Sequence, residues 1–300
     1  MMEMYIWNTL IIICKALFYA GTAGIAGYAF LQTFGFEKST QTLPTAYARK
    51  ITRYFIYVFT LTVISVPIWF LAKVGAFSES GISGALDPTM LSIMWDSPVG
   101  HMAQVRGGAT VFALLSLLVA TRLGFQHMVI RVCMLLALAV ALYSYTLAGH
   151  ISEQGLIEKM LLIVHVFVMS WWFGALIPLK LGCRYLPVEQ TKSLMHKFGV
   201  SAQFLVGLMI IVGVLMALQL FDNISQLFTS AYGLTLMAKI GCVGALLLIA
   251  ARHKRKLVPM LKNQQAVDKL SRSISLEITL AATLLLITAA LTSVVGPDFS

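Results

Sequence analysis

Eight apolar stretches, each long enough to cross a bilayer, leave a chain like this one few ways to fold. A helical span needs about 20 consecutive apolar residues. The 300-residue sequence supplies such runs at 6–33, 51–75, 102–122, 129–149, 156–179, 198–220, 232–251 and 274–295. Backbone polar groups in hydrocarbon must bond within their own segment, so runs of this length become helices. The links between them are short and leave no room for a soluble domain. The expected fold class is therefore all-α integral membrane, an eight-transmembrane-helix bundle in a single domain over 1–300. At 59% hydrophobic and 11% charged residues, an ordinary soluble globule is excluded. The N-terminal run MMEMYIWNTLIIICKALF has Glu3 where a secretory leader would be basic, and Lys15 inside its apolar core. It reads as a retained first span.

A formal net charge of +10 would suit a nucleic-acid binder, but its distribution is that of a membrane topology signal. Most of the 22 lysines and arginines fall on alternate links: Lys38, Arg49, Lys50 and Arg53; Arg122 and Arg131; Lys180, Arg184, Lys192 and Lys197; and the group from Arg252 to Arg272. Most of the acids fall on the other side, at Glu3, Glu79, Asp87, Asp96, Glu153, Glu158, Asp222 and Asp298. Short basic loops stay in the cytoplasm, so both termini are expected outside. Lipid is the implied environment, and no nucleic-acid partner is expected. The outer link 76–100 contains LDPTMLSIMW, which predicts a short amphipathic surface helix with Pro88 in its first turn. Cys14, Cys133, Cys183 and Cys242 form no C-x-x-C pair and read as apolar packing residues.

The two halves, 1–150 and 151–300, share spacings. Gly100 to Arg106 matches Gly233 to Lys239, and Ser97 and Ser230 each precede their glycine by three residues. Lys15 to Gly24 matches His165 to Gly174, and Arg131 stands before the fourth run as Arg272 stands before the eighth. Four spans return the chain to its starting side, so the pattern predicts two parallel four-helix repeats about an axis along the membrane normal. In the first run, Ala20, Ala23, Gly24 and Gly27 would let a neighbouring helix approach closely. Lys15, near mid-membrane, costs about 2.5–3.5 kcal/mol on insertion scales and calls for a partner or a wet cavity.

The stretch that carries chemistry is Gly149 to Pro178, GHISEQGLIEKMLLIVHVFVMSWWFGALIP. His150 ends one apolar run, Glu153 and Glu158 follow, and His165 lies inside the next. Residues seven apart share a helix face, which puts Glu158, His165 and Trp172 in one stripe with Met169 a turn beyond His165. An imidazole facing hydrocarbon is costly, so His165 must face protein, water or a ligand. His101, His150 and His165 belong to the outer face or outer half. His127, His196 and His253 fall in basic inner links and read as solvated. Glu277, about one turn inside the inner end of the last run, reads as paired with a basic residue or as a pathway exit, and the structural pairing is favoured.

These residues resemble the copper resistance protein D family of bacterial inner-membrane proteins. The resemblance rests on Gly149-His150, on His165 followed by Trp172, Gly174 and Leu176, on Tyr232-Gly233, Leu236 and Lys239, and on Glu277. It implies a copper-handling protein of the inner membrane that imports copper from a separate, periplasmic CopC-like carrier. Copper(I) favours imidazole and thioether donors, so His165 with Met169 form the expected metal site, with His150 and His101 nearer the outside. By helical rise His165 lies ~12 Å deeper than His150, so the two can be successive stations. Arg106 and Lys239 are awkward for a cation path and are expected to neutralise Glu153, Glu158 or Asp298. No organic cofactor is expected and, without a nucleophile–base pair, phosphate loop or H-E-x-x-H motif, no enzyme. Two other readings compete. One is a haem-binding electron-transfer protein, which needs two ligands at matched depth. The other is a non-transporting dock for the periplasmic carrier.

Overall fold

The computed structural model describes residues 2–35, 44–218, 228 and 231–295. Lys38, Asp222, Ser230 and Asp298, used in the sequence reading, lie outside them. Among the described residues there is no strand, and eight helices are long and apolar enough to cross a membrane. In chain order the helices are α1 Met2–Phe30, α2 Thr45–Ser78, the short α3 Gly81–Ala85 and α4 Pro88–Trp95, α5 Pro98–Leu123, α6 Met128–Tyr143, α7 Leu156–Tyr185, α8 Val188–Leu218, α9 Ala231–Arg252 and α10 Gln264–Ala290. The expected eight-helix membrane fold is what the chain forms.

Three helices run well past their apolar cores. α2 begins at Thr45, α8 at Val188 and α10 at Gln264, so several basic residues assigned to links stand on helical turns instead. Mean hydropathy drops there, but an apolar stripe at helical spacing continues. Tyr47, Ile51, Phe55 and Phe59 are buried on α2, Thr191, Leu194 and Met195 on α8, and Val267, Leu270 and Ile274 on α10. A narrow stripe packs one face while the charged face stays in water, and a hydropathy window averages the two away.

Local chemistry sets several helix starts. Asp87 caps α4, its carboxylate accepting from Thr89 N and Met90 N at 2.9 Å, with Pro88 in the first turn as expected. Ser97 caps α5 through Val99 N at 3.2 Å, and Asn263 caps α10 through Ala266 N at 3.0 Å. Such caps satisfy backbone N–H groups that a helix start would otherwise leave bare. Gly100 and Gly233 are each the third residue of their helices, α5 and α9, and both are buried.

The bundle is assembled around α1 and α7. α1 packs on α2, α6, α7 and α10, and α7 also packs on α8 and α10. The small residues of α1 are split between two faces. Gly21 and Gly24 admit Thr62 and the Val58–Phe59 pair of α2, while Ala23 and Gly27 meet Gly174 of α7. A Cβ on Gly27 would collide with the carbonyl oxygen of Gly174, and one on Gly174 with the carbonyl oxygen of Ala23. Backbone therefore touches backbone at this crossing, as small-residue contacts between membrane helices allow. Aromatic rings pack around it: Trp171 stacks on Phe198 at 5.2 Å, and Phe30 meets Trp171 edge-on at 5.4 Å. Exposed side chains such as Val111, Phe112, Leu115 and Leu118 of α5 and Leu135 and Leu136 of α6 form the apolar outside of a bundle whose solvent is lipid.

Contacts at the two ends show the alternation of helix direction. The start of α1 meets the end of α2 where Trp7 lies against Gly75, and Lys15 meets the turn after α10. At the opposite end, Gln32 donates to the carbonyl of Phe125, between α5 and α6, at 2.8 Å. Tyr47, near the start of α2, donates to the carbonyl of Pro178 on α7 at 3.1 Å. Pro178 has no N–H to offer the carbonyl four residues before it, and the tyrosine adds a bond between the helices at the proline's own carbonyl.

Candidate functional site

α7 presents the expected stripe. Glu158 lies in its first turn, where a carboxylate suits the positive end of the helix. His165 stands two turns deeper with its ring towards Gly213 of α8. A Cβ built on Gly213 of α8 would lie 3.6 Å from its Cε1, and Lys239 of α9 acts on it electrostatically. Gly213 thus leaves the imidazole space that any side chain would narrow. The Nδ1 atom of His165 is buried and has no hydrogen-bond partner among the described residues. Buried polar atoms are paired in more than about 90% of cases, and this nitrogen is one of three buried side-chain atoms left bare among the described residues, with Trp69 Nε1 and Gln32 Oε1. Met169, half-buried, is one helical turn further along α7.

One turn beyond Met169 the stripe reaches a different kind of centre. Trp172 Nε1 donates to Glu277 Oε1 at 2.8 Å, and His253 Nδ1 lies 3.2 Å from Glu277 Oε2. The other ring nitrogen of His253 shares a hydrogen bond with Ser273 Oγ at 2.7 Å. Glu277 is 2% exposed, so its carboxylate depends on these partners for solvation. The cluster joins α7, the turn after α9 and α10. His253 is a correction to the sequence reading, which placed it in a solvated basic link. The turn 253–257 is a π-helical continuation of α9 that aims the ring at α10. The run Arg252-His-Lys-Arg-Lys gave no sign of this; the only available signal was that a buried Glu277 demands a partner at that end of the bundle. His127 and His196 are exposed, as the sequence suggested.

This cluster carries a stability prediction. Glu277→Ala leaves the indole N–H of Trp172 and one ring nitrogen of His253 unpaired, so it is expected to lower stability by about 1–3 kcal/mol. Glu277→Gln keeps an acceptor for Trp172 and is expected to lose less. Thermal unfolding in detergent micelles checks the order; equal midpoints for all three proteins would refute it.

The remaining sequence-derived positions are not gathered around His165. His101 is exposed in the first turn of α5, which packs on α2, α4 and α6, whereas His165 faces Gly213 of α8. The backbone of His150 lies in the short 3-10 turn His150–Ser152, before α7. Glu153 is exposed in the link. No three His, Cys, Asp or Glu side chains come together as a metal cluster among the described residues. A metal held at His165 would therefore rely on softer or shared donors.

The basic residues of the first half find unexpected surroundings. Lys15 donates to the carbonyl of Thr292 at 2.8 Å and to Ser293 Oγ at 3.0 Å, so its partner is the C-terminal turn after α10. Arg106 is 3% exposed and was expected to neutralise an acid. Neither it nor Lys239 has a carboxylate within 4 Å among the described residues, and Asp298 lies outside them. The guanidinium of Arg106 instead lies over Phe18 at 4.4 Å, Trp69 at 5.0 Å and Tyr145 at 5.5 Å, and its Nε donates to Ser144 Oγ at 3.4 Å. Cation–π contacts contribute about 0.5–2 kcal/mol each. Removing a guanidinium from water costs several kcal/mol, so the rings offset only part of it.

Searches of curated proteins and of solved structures found no match. Two family models do match, and together they cover most of the chain. The model described as copper resistance protein D-like, N-terminal domain, matches residues 1–158. That described as copper resistance protein D matches residues 192–291, the stretch that holds Lys239, His253 and Glu277. With eight apolar helices and more than half of its length matched by the N-terminal model, this chain belongs to the copper resistance protein D family of membrane proteins.

Proposed function

We propose that the protein carries copper ions across the bacterial inner membrane towards the cytoplasm, with His165 and Met169 as intramembrane ligands. The observation that carries this reading is the buried, unpartnered Nδ1 of His165, facing Gly213 in the middle of the bundle. A bare imidazole nitrogen is a donor for copper(I), and the thioether of Met169 is a second soft donor on the same face. His150 and His101 serve as outer capture ligands. A periplasmic CopC-like protein delivers the ion to them. The Trp172–Glu277–His253 group lies beyond His165 on the same face of α7 and is the next polar station inward. The chain acts as a transporter without organic cofactor or catalysis. The haem reading needs a second ligand opposite His165, whereas Gly213 lies beside its ring.

Copper uptake into vesicles of known orientation tests this. Accumulation inside right-side-out vesicles supports import, and accumulation only in inverted ones reverses the direction. Uptake in neither would leave the docking role. We further place both termini in the periplasm, on the basis of the alternating basic ends, and read 1–150 and 151–300 as parallel repeats. A reporter fused after Lys262 is expected in the cytoplasm and one after Ser300 outside it. Recovery of both on one side would refute the topology.

A further inference from the structure

We propose that the pocket between α1, α2 and α5 is a binding site for a small monovalent anion of the halide class, with Arg106 as its main charge and Trp69 Nε1 as its hydrogen-bond donor. Lys15, Phe18, Val66, Trp69, Arg106 and the Cys14 thiol line one recess. Lys73, one turn beyond Trp69 on α2, acts electrostatically on both Lys15 and Arg106. Two cationic side chains, Lys15 and Arg106, thus line one recess inside a membrane bundle with a third, Lys73, acting on them, and no carboxylate lies within 4 Å of any of them among the described residues. The neighbouring groups are hydroxyls and rings: Tyr19 is bound to Thr292, Tyr145 to Thr22, and Ser144 to Arg106.

A second observation points to the same ligand. The indole N–H of Trp69 is buried with no acceptor. The wall that holds Arg106 therefore also presents an unused donor. A buried donor without an acceptor, beside a surplus of positive charge, is complementary to an anion. The occupant must be small. As the side chains stand, the recess does not admit a water-sized sphere, so entry requires Lys15, which lines it and is only half-buried, to swing aside. Walls of Phe18, Trp69 and Tyr145 suit a weakly hydrated, polarisable ion such as chloride better than phosphate. A bound chloride would also offset the positive potential that these side chains raise against any cation entering the same end of the bundle. The proposal stands independently of the role given to His165.

The test uses the full chain in nanodiscs of neutral lipid. The thermal unfolding midpoint is followed as chloride replaces gluconate at constant ionic strength. A saturable rise is expected. Lys73→Gln and Trp69→Phe are each expected to raise the chloride concentration for half-effect by about tenfold, the value of one charged hydrogen bond. Arg106→Gln should abolish the response. If that variant does not accumulate, the other two decide. No chloride response in the wild type, or one unchanged in Lys73→Gln and Trp69→Phe, would overturn the proposal. So would a response to phosphate alone, or to anionic lipid alone, which would make the occupant an oxyanion or a headgroup. A response that emerges only in Asp298→Asn would make the occupant the chain's own carboxylate and would equally overturn it.

Discussion

Replacing His165 with alanine is expected to reduce copper uptake to that of vesicles lacking the protein, while the variant still inserts and accumulates normally. The substitution removes a polar ring whose Nδ1 has no partner, so no bond to that atom is lost in the folded protein. Most buried polar side chains are costly to delete because they abandon a neighbour. That argument does not apply to Nδ1, which separates a functional role from a structural one. Met169→Leu keeps the bulk and removes only the thioether, so uptake should fall less. His127→Ala is the control, since His127 is exposed and caps the first turn of α6, where its ring accepts from Val129 N at 3.3 Å. Normal uptake by His165→Ala would mean that the imidazole does not bind the ion. Failure of that variant to accumulate would assign the ring a packing role between α7 and α8.

The second large effect is structural. Gly174→Val is expected to prevent assembly of the bundle, seen as loss of monodisperse protein on extraction and a collapse of the thermal midpoint. Overpacking a core with extra methyl groups typically costs about 1–3 kcal/mol, because side chains can move aside. Here the atoms in the way are the backbone of Ala23 and Gly27. Relief requires α1 and α7 to separate, and these two helices organise all the others. Gly27→Val should act in the same way from the opposite side. Gly207→Val on α8, where a Cβ meets nothing within 4 Å, should be tolerated and controls for the added β-branch. A stable, monodisperse Gly174→Val protein would show that the crossing is looser than its geometry.

The small residues of α1 illustrate how much of this was legible beforehand. Their spacing announced a close helix contact, which is a local property of one segment. It did not reveal that two helices share them, Gly21 and Gly24 going to α2 and Ala23 and Gly27 to α7. The stripe of Glu158, His165 and Trp172 was equally legible, because residues seven apart share a face whatever surrounds them. The endpoint of the stripe was not. Trp172 and Glu277 are 105 positions apart, and their pairing with His253 depends on a π-helical turn inside a run of basic residues.

By itself the sequence determined the class of the protein. Eight apolar runs of bilayer length, Asp87 and Pro88 at the start of α4 and an imidazole deep in a span all follow from local rules of helix and membrane energetics. The tertiary structure alone decided the partners of the polar groups. Lys15 reached across 277 positions to the carbonyl of Thr292, and Arg106 settled among aromatic rings, with no acid beside it among the described residues. Burial demands that a charge or donor be satisfied, but it does not specify by which group, and that choice is made only when helices distant in sequence come to lie side by side.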